Sequence, residues 1–100
     1  MQKKILFSLL FVFVLVNQTL AQITGVLKDA KTGEPIPYAN VFYEGKGVGG
    51  ITDMDGRFQV DKFPEWKALT FSSVGYTTKK VPTDNRTHTL TVMMDPLEYS

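Results

Sequence analysis

The sequence has no cysteine. A structural disulfide, a thiolate metal cluster and a lipid-bearing N-terminal cysteine are therefore all excluded. Histidine occurs once, as His88. A zinc site draws three or four ligands from His, Cys and acidic residues, so the composition offers no zinc set. Basic charge is equally sparse. Beyond residue 21 the adjacent pair Lys79-Lys80 stands alone, and nine basic residues face ten acidic ones once Lys3 and Lys4 are set aside. No basic stripe exists to track a phosphate backbone, so nucleic-acid binding has no electrostatic support. Sustained helical periodicity is also missing. The longest apolar run, residues 5–16, is broken only by Ser8 and supplies 12 positions, short of the roughly 20 that a spanning helix needs.

That run belongs to an export signal. Lys3 and Lys4 precede it, and a polar stretch ending in Thr19 and Ala21 follows it. A charged start, an apolar middle and small residues at positions −3 and −1 are the layout of a secretory signal peptide. Residues 1–21 are read as that signal, with cleavage before Gln22. Residues 22–95 are read as one domain, and residues 96–100 as a tail or the start of a following region. The domain is small enough that its core alone supplies only about 3–5 kcal/mol, so help from a neighbouring domain or partner is expected.

The domain reads as all-β. Short stretches rich in Val, Ile, Thr, Phe and Tyr alternate with Gly, Pro, Asn and Asp, the signature of strands and tight turns. Seven strands are expected, over residues 23–29, 39–43, 49–52, 57–61, 68–73, 76–81 and 87–94. Within them apolar residues recur at every second position: Ala39, Val41 and Tyr43; Phe58 and Val60; Leu69 and Phe71; Leu90, Val92 and Met94. Such alternation marks strands with one buried face, and seven of them at close spacing argue a two-sheet sandwich. The intervening threonines are expected on the solvated faces. Two prolines make Lys31-Thr32-Gly33-Glu34-Pro35-Ile36-Pro37 a rigid turn. Asp53-Met54-Asp55-Gly56, with its Asp-Gly end between two strand signals, is expected to be a structural hairpin turn.

At these turns the sequence resembles the carboxypeptidase regulatory-like domain. The matching residues are Gly25-Val26, Asp29, Thr32-Gly33-Glu34-Pro35-Ile36-Pro37 and Ala39-Asn40-Val41. They continue with Gly45, Gly50, Thr52-Asp53-Met54-Asp55-Gly56-Arg57-Phe58 and Phe71-Ser72-Ser73-Val74-Gly75-Tyr76. The resemblance implies a transthyretin (prealbumin)-like, seven-stranded Greek-key sandwich. It also implies a setting: in bacteria such a domain follows the signal peptide and precedes the plug and barrel of a TonB-dependent, SusC-like outer-membrane receptor or a related outer-membrane protein. The expected location is then the periplasm or outer membrane of a Gram-negative bacterium, or secretion. The expected partner is a protein or an adjoining domain of an envelope protein, with membrane association only through that larger protein.

Candidate chemistry is thin. His88 as a general base has no identified nucleophile to serve, and the competing reading is a histidine at the sheet margin, on the face of Leu90 and Val92. No catalytic residue, metal site or cofactor is expected. In an EF-hand register, Gly56 at position 6 puts Asp55 at 5 and Asp53 at 3. Ile51 and Lys62 then fall where anchoring ligands belong. The run Gly45-Lys46-Gly47-Val48-Gly49-Gly50 lacks the Ser or Thr after Gly-Lys that a phosphate loop requires, and reads as a flexible loop. Asn85-Arg86-Thr87 is an N-glycosylation sequon, which the bacterial setting leaves without a role. Trp66 is the remaining candidate. As a loop platform it would stack on a sugar ring, with Glu65 and Lys67 as hydrogen-bonding neighbours, making the chain a glycan-binding module. As a cap it would be buried at the end of the sandwich.

Overall fold

The computed structural model describes residues 21–97. It contains seven strands: β1 Gln22–Asp29, β2 Asn40–Tyr43, β3 Val48–Ile51, β4 Arg57–Asp61, β5 Ala68–Ser72, β6 Lys79–Pro82 and β7 Thr89–Met94. No helix occurs among the described residues. The signal peptide expected over residues 1–21 lies almost wholly outside them, as do the last three residues of the expected tail.

The strands form two sheets, β4-β1-β7 and β3-β2-β5-β6. In the first, β1 is central. It runs antiparallel to β4, with Ile23 opposite Val60, and parallel to β7, with Leu27 opposite Val92. The second is wholly antiparallel. Period-2 alternation places one face of each sheet inward. Ile23, Leu27, Phe58, Val60, Val92 and Met94 meet Val41, Tyr43, Leu69 and Phe71 from the facing sheet. Phe58 and Phe71 make an edge-to-face contact across the layers, with centroids 5.2 Å apart. Ile36 and Ala39, from the connection between β1 and β2, complete the core.

Three details depart from the expected strands. The sixth strand begins at Lys79 rather than residue 76; Tyr76 instead bridges to Pro96. Pro82 is tolerated in β6 because that strand is a sheet edge. The threonines do not all face water. Thr70 is buried between Leu69 and Phe71, because Phe42 and Lys80 flank it from the neighbouring strands. Thr52 is buried as well. Finally, the Asp53–Gly56 turn does not close a hairpin. β3 pairs with β2 and β4 pairs with β1, so the turn carries the chain from one sheet to the other.

The connections sort into two poles. At the first lie the N-terminus of the domain and the β2–β3, β4–β5 and β6–β7 connections. At the second lie the β1–β2, β3–β4 and β5–β6 connections and the segment after β7. β1, eight residues long, spans roughly 25 Å between them. The chain therefore enters at one pole and leaves at the other.

Candidate functional site

The N-terminal pole holds the sugar-platform candidate. Phe63-Pro64-Glu65-Trp66 forms a turn, in which the Trp66 N–H donates to the Phe63 carbonyl at 3.0 Å. The turn folds the indole back onto the sandwich. Phe63 stacks on it with centroids 4.4 Å apart and planes at 29°. Tyr43 meets its edge at 5.3 Å, and the Lys46 ammonium stands over the ring, 5.5 Å from its centroid. Trp66 is half-buried and packs against the core. Beneath it the Tyr43 hydroxyl donates to the Asp61 carbonyl at 2.7 Å, satisfying the polar end of a buried ring. Burial pushes the Tyr43 pKa above the usual tyrosine value.

A depression of about 220 Å³ borders the indole, lined by Glu44, Lys46, Lys67 and Lys80 among others. Lys67 thus joins Trp66, while Glu65 does not line it. Lys80 is paired with Glu44. The single histidine lies nearby on the surface, exposed just before β7, its Nδ1 2.7 Å from the Lys62 Nζ.

The C-terminal pole is built from hydrogen bonds. Asp53 Oδ1 accepts from the Asp55 and Arg57 N–H groups, each at 2.9 Å. The Gly56 N–H returns to the Asp53 carbonyl at 3.0 Å. The Asp53 Oδ1 thus closes the turn through backbone donors. Among the described residues no group of three or more His, Cys, Asp or Glu could hold a metal. Gly56 is required twice over. Its φ is +74°, and a β-carbon there would stand 2.5 Å from the Leu27 carbonyl oxygen.

Two further groups were not visible in sequence as a unit. Thr52 Oγ1 donates to the Ile36 carbonyl and accepts from the Ala39 N–H, both at 2.8 Å. This buried clamp pins the β1–β2 connection to β3. Asp29 ties together three segments. Its Oδ1 accepts from the N–H groups of Lys31 at 2.7 Å and Thr32 at 3.0 Å, and its Oδ2 accepts from the Tyr76 hydroxyl at 2.8 Å. The Tyr76 bond, followed by the two backbone donors, holds the Asp29 carboxyl below its usual value of 3.8. The same bond raises the Tyr76 phenol above 10.0. The short spacing Asp29-Ala30-Lys31-Thr32 could have signalled the local half of this arrangement. Nothing local signals Tyr76, 47 positions away.

The CarboxypepD_reg-like domain family matches residues 23–98. The chain is 40% identical over 80 residues to the TonB-dependent receptor P39 of Formosa agariphila, covering 78% of this chain and 8% of the receptor. It is 36% identical over 84 residues to the TonB-dependent receptor SusC of Bacteroides thetaiotaomicron, covering 82% and 8%. The chain thus spans less than a tenth of the length of these curated relatives. Among solved structures, a type II cohesin–X–dockerin complex from Acetivibrio cellulolyticus contains a similar chain. The TM-score is 0.56 at 17% identity, covering 74% of this chain and 56% of that one. That likeness concerns the fold alone.

Proposed function

This chain belongs to the CarboxypepD_reg-like domain family, and we propose that it serves as a non-catalytic accessory module of a TonB-dependent or related outer-membrane protein. In this reading it is the first folded domain after the signal peptide, on the periplasmic side of a Gram-negative outer membrane. The observation that carries the reading is the 40% identity to a TonB-dependent receptor across most of the sandwich. The geometry is compatible with it. Termini at opposite poles make the domain an in-line module. Asp29, Asp53 and Thr52 hold internal turns through side-chain oxygens, which gives rigidity.

The glycan-binding alternative rests on Trp66, Glu65 and Lys67 and has less support. The indole is already stacked by Phe63 and topped by Lys46, so a sugar would have to displace packed groups. Immunoblotting of fractionated cells with an antibody to residues 22–95 tests the accessory reading. A receptor-length polypeptide in the outer-membrane fraction is expected. Deleting residues 22–95 from it should leave the barrel inserted and impair uptake. A polypeptide of about this chain's length in the soluble periplasmic fraction would overturn the reading.

A further inference from the structure

Five large apolar side chains are exposed among the described residues: Tyr38 at 68%, Ile51 at 63%, Met54 at 73%, Val74 at 101% and Leu97 at 46%. Scattered singly, such residues mean nothing. Here all five fall at the C-terminal pole: on the β1–β2 connection, the last residue of β3, the β3–β4 turn, the β5–β6 loop and the segment after β7. The N-terminal pole has Trp66, Phe63 and Tyr43, and packs them against the core. An apolar end facing water on one side only marks an interaction surface.

Two further features point the same way. Tyr38 has a φ of +57°, a left-handed conformation that an aromatic residue resists. Its N–H donates to the Thr52 carbonyl at 3.0 Å, so the buried clamp holds this ring outward against its own backbone preference. The outgoing chain is also stitched to the same pole. The Leu97 N–H donates to the Gly75 carbonyl at 2.8 Å, the Thr77 N–H to the Asp95 carbonyl at 2.9 Å, and Tyr76 bridges to Pro96.

We infer that the Tyr38–Met54–Val74 pole is the surface on which the next domain of the same polypeptide docks. The inference rests on the accessory reading above. In a receptor of which this domain is 8%, the remaining chain emerges beside Val74. A stable free interface buries roughly 1,200–2,000 Å² counted over both partners. A tethered partner needs less, because its effective concentration reaches the millimolar range. That favours the adjoining domain over a second copy. The same pole carries charge of both signs, Glu34, Asp53, Asp55 and Asp95 with Lys31, Arg57 and Lys79, so the surface that fits has an apolar centre and a polar edge.

The test is photo-crosslinking in the full-length protein in cells. p-Benzoylphenylalanine is placed singly at Tyr38 and Val74, and at Lys46 and Arg86 on the opposite pole. Irradiation should link Tyr38 and Val74 positions to peptides beyond residue 100 of the same polypeptide, with no gain in mass on a blot. The Lys46 and Arg86 positions should give no such link. Adducts of higher mass from Tyr38 or Val74, to another protein or a second copy, would overturn the docking proposal. So would links to the same polypeptide from the opposite pole only, or no link at all. These failures leave a receptor-length band, whereas a band of about 100 residues before irradiation sinks the accessory reading and the docking together.

Discussion

Three aromatic rings close the N-terminal pole of the sandwich, whereas the C-terminal pole closes with hydrogen bonds around a buried Ile36 and leaves five large apolar side chains facing outward. At the first, Tyr43, Phe63 and Trp66 pack edge and face upon one another. At the second, Asp29, Thr52 and Asp53 each bind two or three polar groups of the turns and connections there. The difference teaches how a small, cysteine-free domain can keep one end available. Closing an end with apolar groups consumes them. Closing it with short polar side chains leaves apolar ones free to face a partner, because each hydrogen bond contributes only about 1 kcal/mol but fixes the backbone that presents them.

The sharpest test of that contrast compares two left-handed glycines. Gly56 at the C-terminal pole has backbone atoms crowding the position a β-carbon would take, while Gly45 at the other pole has none within 4 Å. Gly56→Ala should destabilise by about 3 kcal/mol, combining dihedral strain with overpacking. Gly45→Ala should cost about 1 kcal/mol, from the dihedral alone. Urea titrations giving equal losses would break the distinction.

Thr52→Val keeps the shape and removes both clamp bonds, leaving a buried N–H and a buried carbonyl without partners. A loss of about 2 kcal/mol is expected, and a loss under half of that would mean the clamp is dispensable. Trp66→Ala is the counterpart at the aromatic pole. A half-buried indole should cost about 2 kcal/mol, below the range for a fully buried one, and calorimetry would detect it. Loss of glycan retention in a variant that melts like the parent would instead restore the sugar-platform reading.

The Asp29–Tyr76 bond makes the C-terminal pole sensitive to pH at both extremes. Asp29 titrates lower in the folded protein. Its stabilisation is therefore present above the unfolded pKa and is lost as pH falls through the folded one. Tyr76 titrates higher, so its stabilisation is present below the unfolded pKa and is lost as pH rises through the folded one. The difference in melting temperature between the parent and Tyr76→Phe should be widest at neutral pH and shrink toward pH 2 and pH 11. A difference constant across that span would show that the bond contributes nothing through these two ionisations.

The smallest effect is a gain. Tyr38→Gly should relieve the left-handed strain at a mostly exposed position, raising stability by about 0.5–1 kcal/mol after the cost of a more flexible unfolded chain. Denaturation of the domain reads that gain. A loss would mean that the Tyr38 ring contributes packing that its exposure conceals.

Most of the fold was legible because strand alternation is local. Val41 and Tyr43, Phe58 and Val60, Leu69 and Phe71 announce their buried face two residues at a time, and the Asp53 turn is written in four consecutive residues. The sequence by itself determined the all-β class, seven strands, the absence of cysteine chemistry and the rigid turns. Only the tertiary structure decided which strands share a sheet, that Asp53–Gly56 crosses between sheets, and that Tyr76 leaves its strand to reach Asp29. It also decided that Trp66 folds inward while Tyr38, Met54 and Val74 gather outward at one end. The reason is separation along the chain. Periodicity and turn chemistry act over a few residues. Pairing, burial and the assembly of a pole depend on contacts between segments tens of residues apart, which no local pattern encodes.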